Sequence, residues 1–371
     1  MPMTSEEHDA LWEAVRSSNA NWRPGHNTIT DLEEEDRLLR LGYDPGPDEL
    51  SLAARQEQSA TRLMMKGVLA AAAPAKVDWR NMNGKNFVTG IKDQGSCGSC
   101  VAFGTAATME SQSRIIRNAP VNAANGGTIP DLSEAHLFYC GNSASSDPCG
   151  KGWYPSAALA FARNTGVVPG TCFPYTPGNQ ACGPCDNWQT MTTNVGTSKT
   201  LTSVPDMKTW LADKGPLITC FIVYSDFFAY TGGVYVQTPT TQSVGGHCLC
   251  CVGYDDSKQA WLCKNSWGTG WGESGYFCIA YGQCGIDSTM WAVEGILDTG
   301  WLNNVKVIGL WTIDQDRNAW AYISGYGWRK IATDNDNIFF DLLRLLAAAK
   351  EGARPVNVYQ DAGIIKQIYV L

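Results

Sequence analysis

The stretch Asp93-Gln-Gly-Ser-Cys-Gly-Ser-Cys100-Val-Ala-Phe103 joins a glycine-rich turn to the start of a predicted helix. That helix runs to about Arg117, so the thiol of Cys100 lies at its N-terminus. Unpaired backbone amides and the helix dipole favour negative charge at such a position. We therefore expect a lowered pKa for Cys100, a thiolate near neutral pH, and hence a nucleophile.

The residues around this cysteine suggest two roles. Gln94 lies across the glycine turn, and its side-chain amide, with the backbone N–H of Cys100, can form an oxyanion hole. The alternative is that Cys97 and Cys100 form a redox or zinc-binding Cys-x-x-Cys pair. Cys182 and Cys185 offer one more half-site, which does not complete a zinc site. A zinc site among Cys248, Cys250 and Cys251 is a weaker alternative, because alternate residues of a strand face opposite ways. We favour the nucleophile.

A nucleophilic thiol needs a base, and the chain contains four histidines. His8 and His26 lie in an N-terminal segment that we expect to be removed. His136 lies in a predicted helix, where a single histidine is usually a packed surface residue. His247 stands at the start of a buried strand and is therefore the candidate base.

The imidazole in turn needs a group that holds it in the productive tautomer. Asn265 is the candidate, in the run Lys264-Asn-Ser-Trp-Gly-Thr-Gly-Trp-Gly272. Trp267 can shield an Asn–His hydrogen bond from water, which keeps that bond strong.

Composition limits the class of protein. The chain has 371 residues, 44% of them hydrophobic, which indicates two or three globular units. The net charge of −8 argues against a nucleic-acid partner. The apolar run Met64–Ala73 contains Lys66 and is too short to span a membrane. Fourteen cysteines favour a secreted or lysosome-like compartment, yet no secretory signal is visible, so these two indications conflict.

Three motifs together resemble the papain family of cysteine proteases, over Val77 to about Gly295. They are the stretch around Cys100, the Gly-Gly-His247 run and the stretch around Asn265. The separation of 247 − 100 = 147 residues agrees with the family's spacing of about 130–150. The resemblance implies an α+β fold of two lobes, one helical and one a β-barrel. It also implies peptide hydrolysis through a thioester, with no cofactor and no metal, and Gln94 in the oxyanion hole.

Within the family the chain looks most like cathepsin B. Trp22-Arg-Pro-Gly-His-Asn27 is similar to part of that enzyme's short propeptide. The resemblance implies that residues 1–75 are a helical propeptide that blocks the chain's own cleft, so that the protein is made as a latent zymogen. Helices are predicted over Ser5–Ser18 and Asp31–Leu41, and activating cleavage is expected within Ala70–Lys76.

The catalytic unit is expected over residues 76–298, acting on peptides or proteins. Between Cys172 and Cys185 there is no His-His pair of the kind with which cathepsin B holds a substrate C-terminus, which favours endopeptidase action. The resemblance implies that Thr289 lies at the floor of the S2 pocket, where cathepsin B has an acidic residue. A neutral floor predicts apolar P2 side chains and poor acceptance of arginine. The candidate substrate-binding residues are Gly152, Trp153, Tyr154, Gly246, Trp267 and Thr289.

Two alternative functions use the same motifs. A catalytically dead homologue acting as a binding module is disfavoured because all four site residues are present. A transpeptidase or ligase would pass the same acyl-enzyme to an amine, and the sequence leaves it open.

The remaining cysteines fall into two groups. The resemblance implies the disulfides Cys97–Cys149 and Cys140–Cys182, with Cys172–Cys185 as a third bridge. The other cysteines lie mostly in predicted strands where the family has aliphatic residues, so we expect buried free thiols. Cys248, directly after the candidate base, is close enough to the site to be oxidised or to narrow the pocket.

Residues 299–371 lie outside the resemblance. Strands are predicted over Val305–Thr312, Ala319–Ser324, Trp328–Ile331, Val356–Tyr359 and Ile364–Val370, with an amphipathic helix over Asn337–Glu351. We expect a small α+β or open-barrel accessory domain that binds an unknown ligand. A structural appendage or a part of the latency device is the alternative. Its aromatic residues could stack a sugar ring or form its core.

Overall fold

The computed structural model describes residues 1–64, 73–121, 131–239 and 241–371. The expected cleavage segment Ala70–Lys76 therefore lies partly outside the described residues. None of the helices within these ranges is long and apolar enough to cross a membrane. The helices are α1 Ser5–Ser17, α2 Glu34–Leu38, α3 Leu52–Met64, α4 Cys100–Ile116, α5 Pro148–Lys151, α6 Pro155–Asn164, α7 Val204–Asp213 and α8 Asp336–Glu351.

The N-terminal segment differs from the prediction in two places. The second helix begins at Glu34 rather than after Asp31. The reason is a turn in which the side-chain oxygen of Asn27 accepts hydrogen bonds from the backbone N–H groups of Ile29 and Thr30, at 2.9 and 3.1 Å. Helix α3 was not predicted. Its burial against the catalytic domain, described below, explains why it forms.

The strands form one large sheet and one barrel. They are β1 Trp22–Pro24, β2 Lys76–Asp78, β3 Thr193–Leu201, β4 Leu217–Tyr224, β5 Tyr230–Tyr235, β6 Ser243–Asp255, β7 Ala260–Lys264, β8 Tyr276–Ala280, β9 Met290–Asp298, β10 Gly300–Thr312, β11 Ala319–Ile323, β12 Gly327–Ile331, β13 Pro355–Asp361 and β14 Ile364–Val370. Among the described residues the large sheet has the order β1-β5-β8-β7-β6-β4-β9-β3, with β2 paired to β6.

The long central strands β4 and β6 organise the domain over residues 76–298. Every residue of β4 is buried, as expected for a run without alternation between apolar and polar residues. Strand β6 pairs antiparallel with β4 on one side and with β7 on the other. Helices α4 and α6 pack on one part of this sheet and share a core with it, while an aromatic-rich core lies against the other part. The result is the two-lobed α+β arrangement predicted from the sequence.

The C-terminal unit is a closed barrel, which corrects the open barrel considered from the sequence. Its strand order is β10-β11-β12-β14-β13, and β13 returns to pair with β10. Strand β12 pairs parallel with β14, and α8 lies between β12 and β13 in the chain. This is the topology of an OB-fold. Its core is made of small and branched side chains from the barrel and one face of α8.

The barrel is tied to the catalytic domain by buried polar contacts. Strand β9 ends at Asp298 and β10 begins at Gly300. The guanidinium of Arg329, which is 4% exposed, donates to the backbone oxygen of Ile296 at 3.3 Å. Arg117, which caps the C-terminus of α4, forms an ion pair with Asp298 and lies over the ring of Tyr326.

The structure contains the three disulfides that the resemblance implied: Cys97–Cys149, Cys140–Cys182 and Cys172–Cys185. All lie in the helical lobe and its loops, where regular strand pairing is sparse. The free cysteines of the described residues are buried, except Cys278, which is half-buried. This agrees with the expectation of buried thiols.

Candidate active site

The candidate nucleophile Cys100 is the first residue of α4 and is fully buried. Helix α4 packs unusually close to β6 because Gly104 has no side chain. A Cβ added at Gly104 would lie 3.0 Å from the backbone of Leu249. The close approach brings the N-terminus of α4 beside the segment of β6 that carries His247.

The thiol of Cys100 has a raised pKa in this structure, whereas the sequence predicted a lowered one. Burial is the main cause, and the neighbouring Cys248 adds to it. Backbone N–H groups of Cys248, Gly42 and Val101 point at the sulfur and act in the opposite direction. The amides at the helix N-terminus are therefore present, but the covered site favours the neutral thiol.

The candidate base His247 is the fifth residue of β6, four positions after the strand begins, and it lies beside Asn265. Nε2 of His247 and Oδ1 of Asn265 are 2.8 Å apart, which leaves Nδ1 for other groups. Trp267 is fully buried, and its ring centroid lies 4.8 Å from that of the imidazole, so it covers this hydrogen bond. Burial lowers the pKa of His247 to about 4, against the opposing effect of Asn265. In the covered site the imidazole is therefore neutral.

Gln94 is held in place by a residue that sequence reasoning missed. The hydroxyl of Ser266 donates to Oε1 of Gln94 at 2.6 Å. This turns the amide nitrogen of Gln94 toward the cleft, where Nε2 donates to the backbone oxygen of Arg40 at 3.0 Å. The sequence could have indicated this role, because Ser266 directly follows Asn265 just after the end of β7, beside the glycine turn that carries Gln94.

The N-terminal segment fills the cleft with its backbone. The carbonyl of Arg40 lies at Nε2 of Gln94, and the N–H of Gly42 points at the sulfur of Cys100. The N–H of Tyr43 donates to the backbone oxygen of Gly246 at 3.0 Å. A side chain at Gly42 would collide with the backbone of Gly98, so only glycine allows this approach. These contacts occupy the places in which a substrate backbone is expected.

Four of the predicted substrate-binding residues contact this segment. The N–H of Trp153 donates to the oxygen of Gly42 at 2.8 Å, and the pairing of the segment with Trp153 is parallel. A side chain at Gly152 would strike the backbone of Gly42. Gly246 pairs with the segment as described above, and the ring of Tyr154 packs against Gly46.

Two side chains of the segment fill a buried pocket beside the cleft. Tyr43 is 3% exposed, and Arg55 of α3 is fully buried with its guanidinium 5.0 Å from the Tyr43 ring centroid and 5.5 Å from that of Trp291. Nη1 of Arg55 donates to the backbone oxygen of Cys220 at 3.2 Å. Thr289 is buried directly before β9. The contacts of Arg55 are made with Cys220 and Trp291, which the sequence did not assign to this pocket.

The helical context of His136 suggested a surface residue, but the structure buries this side chain. His136 begins a π-helical turn, is 1% exposed, and its ring packs edge-on against Phe161 and Trp188. Burial lowers its pKa to about 4. It is a neutral core residue of the helical lobe.

The fold and this site are those of a cysteine protease. The sequence profile described as "Papain family cysteine protease" matches residues 73–293, which end before the C-terminal barrel. Digestive cysteine proteinase 1 of Homarus americanus is 34% identical over 316 residues, covering 74% of this chain and 94% of that protein. Cathepsin B-like cysteine proteinase 5 of Caenorhabditis elegans is 28% identical over 329 residues, covering 78% and 90%.

A solved structure of a proenzyme shows a likeness over a similar share of the chain. Digestive procathepsin L2 proteinase from the larval midgut of Tenebrio molitor aligns with a TM-score of 0.60 and 27% identity, covering 78% of this chain and 89% of that one. The chain belongs to the papain family of cysteine proteases.

The contact between Ser266 and Gln94 generates a prediction. In the active enzyme, Ser266→Ala removes one neutral hydrogen bond of about 1 kcal/mol, so kcat is expected to fall about fivefold with little change in KM. Steady-state kinetics on a fluorogenic peptide measures both constants. Ser257→Ala, an exposed serine bonded to Asp255, is the matched control. An equal loss in both variants, or a change in KM alone, would contradict the positioning role.

Proposed function

We propose that the protein is a cysteine endopeptidase that hydrolyses peptide bonds through a thioester acyl-enzyme. The proposal is carried by one observation: the chain's own backbone lies at Cys100 and Gln94, with a carbonyl oxygen accepting from the Gln94 amide. A site that holds a peptide carbonyl against an amide donor beside a thiol is suited to acyl transfer.

In the proposed reaction Cys100 attacks the carbonyl carbon of the substrate, and His247 takes the thiol proton. Nε2 of Gln94 and the backbone N–H of Cys100 stabilise the oxyanion. His247 then gives its proton to the departing amine, and the thioester forms. Water, activated by the same imidazole, releases the acid product. Asn265 holds the ring throughout, and Trp267 keeps water from their hydrogen bond.

We infer three functional units: an inhibitory propeptide over residues 1–75, a catalytic domain over 76–298 and an accessory domain over 299–371. Two effects would keep the zymogen latent. The first is steric, because the segment fills the cleft and its Tyr43 forms a parallel β-bridge with Trp153. The second is electrostatic, because burial under the segment keeps both Cys100 and His247 neutral. Once the segment leaves, water reaches the pair, and the thiolate–imidazolium state becomes accessible.

Self-processing tests this proposal. The full chain is expected to cleave itself near residue 75 and gain activity, because its own mature form supplies the protease. Cys100→Ser, expressed side by side, is expected to stay intact, since it lacks the nucleophile. Intact mass and N-terminal sequencing identify the products. Equal processing of both chains would overturn the assignment of Cys100.

We also propose that the S2 pocket prefers apolar and aromatic P2 side chains. The buried position of Tyr43, beside Gly246 and Cys220, supports an aromatic P2 side chain. Arg55 enters the same pocket, but among the described residues its Nη2 atom has no hydrogen-bond partner. Burial of a substrate arginine in this pocket would cost desolvation free energy. For Arg55 the other contacts of α3 offset that cost.

Fluorogenic peptides that differ only at P2 measure this preference. With the mature enzyme, P2-Phe and P2-Leu are expected to exceed P2-Arg in kcat/KM by about tenfold or more, because the pocket leaves a guanidinium incompletely paired. The mass of the product shows whether water or an amine accepts the acyl group. A preference for arginine would refute the pocket assignment, and a peptide-bonded product would favour the ligase alternative.

We propose a binding role for the barrel. Trp311, Tyr322 and Trp328 are 47%, 37% and 46% exposed and point outward from adjacent strands β10, β11 and β12. Trp311 lies opposite Trp320, and Tyr322 lies opposite Trp328 with their rings perpendicular. We call these four residues the aromatic face. Exposed aromatic rings in such a group are typical of ligand-binding surfaces.

The charge of the barrel favours a neutral ligand for the aromatic face. Between residues 299 and 371 the sequence contains eight Lys and Arg and seven Asp and Glu, a net charge of 8 − 7 = +1. Single-stranded nucleic acids also stack on aromatic rings, but their binding needs a strongly basic groove. Asn318 lies at the rim, with its side-chain oxygen accepting from the Trp320 indole at 2.8 Å. A neutral polysaccharide, with apolar ring faces and hydroxyl edges, fits this surface.

Binding to insoluble cellulose and chitin tests this role. In the full chain carrying Cys100→Ser, adding Trp311→Ala and Trp328→Ala is expected to weaken binding at least about tenfold, because each exposed ring contributes about 1 kcal/mol. Trp301→Ala is the matched control, since that exposed tryptophan packs against Tyr359 on the β13 side. No binding by the parent chain, or an equal loss in the control, would exclude the aromatic face as the polysaccharide site.

A further inference from the structure

Three free thiols lie together at the candidate active site. Cys248 follows His247 in β6, and Cys220 is its direct register partner in β4. Cys100, at the start of α4, packs in the same buried cluster. All three are essentially inaccessible in the latent chain. Peptide hydrolysis requires only the thiol of Cys100, so the two neighbouring thiols have no role in that reaction.

Cys248 lies in the same buried cluster as the proposed nucleophile. Burial and the Cys248 thiol both raise the pKa of the Cys100 thiol. Cys248 also lies directly opposite Cys220 in the register of β4 and β6, and together with burial it raises the pKa of the Cys220 thiol. Cys248 therefore lies between the other two thiols.

The N-terminal segment covers this cluster. The N–H of Gly42 points at the sulfur of Cys100. Tyr43 lies close enough to Cys220 and Cys248 for both to act on its phenol. Arg55 donates to the backbone of Cys220. Loss of the segment therefore opens the active site and the thiol cluster together.

We propose that Cys248 is a resolving cysteine, a modification site that captures oxidised Cys100 as a reversible disulfide in the mature enzyme. The inference rests on the proposed function, because it needs Cys100 to be the reactive thiol. The oxidant is a peroxide, such as hydrogen peroxide.

The chemistry has two steps. The thiolate of Cys100 attacks a peroxide oxygen, the O–O bond breaks, and Cys100 becomes a sulfenic acid while hydroxide leaves and is protonated to water. The thiol of Cys248 then attacks the sulfenic sulfur, forming the S–S bond and releasing a second water. The two cysteines lose two electrons and the peroxide gains them. A dithiol reductant restores both thiols by exchange.

The function of this device is protection. A sulfenic acid without a nearby thiol is oxidised further to sulfinic and sulfonic acids, which are not reduced back by thiols. Cys248 would convert this irreversible loss of the enzyme into a reversible pause. The competing product is a bond between Cys220 and Cys248, because register partners in an antiparallel pair lie within about 5.5 Å, a separation compatible with a disulfide. That bond would leave Cys100 free.

The experiment uses the mature enzyme released from the full chain. Its premise is checked first: iodoacetamide must label Cys100 and abolish activity, and failure here would refute the proposed function rather than the resolving role. The enzyme is then treated with hydrogen peroxide, and part of it is reduced with dithiothreitol. Activity is expressed relative to the same variant untreated, and peptide mass mapping locates each oxidised cysteine.

The wild type is expected to yield a Cys100–Cys248 linked peptide and to regain most of its activity on reduction. Cys248→Ala is expected to regain at most about a tenth as much and to carry sulfinic or sulfonic acid at Cys100. Cys248→Ser provides a second variant of nearly the same size. Cys278→Ala, which removes the half-buried thiol of β8, should behave as the wild type. Equal recovery without Cys248, or a Cys220–Cys248 link with Cys100 still open to alkylation, would overturn the proposal.

Discussion

The close packing of α4 on β6 is the constraint on which the rest of the site depends. Gly104 allows the helix backbone to approach the backbone at Leu249, and this sets Cys100 beside the strand residue that carries the imidazole. A larger residue at Gly104 would push the helix away and separate the two lobes of the site. The ends of β7 and of the glycine turn then supply Asn265 and Gln94, with Ser266 joining them.

The same demand for close backbone approach explains how the N-terminal segment fits. Gly42 lies against Gly98 and Gly152, so three glycines let one backbone lie directly on another. Covering the thiol and the imidazole excludes water, and burial disfavours the charged form of each. Latency on this view has an electrostatic part as well as a steric one, because the covered pair is held in its unreactive neutral state.

The cysteines divide according to the local structure that surrounds them. The three disulfides join loops of the helical lobe, where few backbone hydrogen bonds hold the chain and a covalent link restricts the unfolded state. The free thiols lie mainly in strands, where they take the place of small apolar core residues. Cys248 belongs to the second group by structure. The proposed chemical role of Cys248 depends on its position near Cys100 and not on its environment in the strand.

The sequence by itself determined the family, the nucleophile and base candidates and most strands, because these depend on short motifs and on hydrophobic periodicity. The disulfide pairs followed from the resemblance to the family. The sequence could not predict α3, whose Arg55 becomes buried only against β4 and β9, nor the start of α2, which depends on a side-chain turn at Asn27. Ser266, Cys220 and Trp291 were missed because their roles come from contacts between residues far apart in the chain. The direction of the Cys100 pKa was decided by tertiary structure, since burial outweighs the helix N-terminus while the segment is in place.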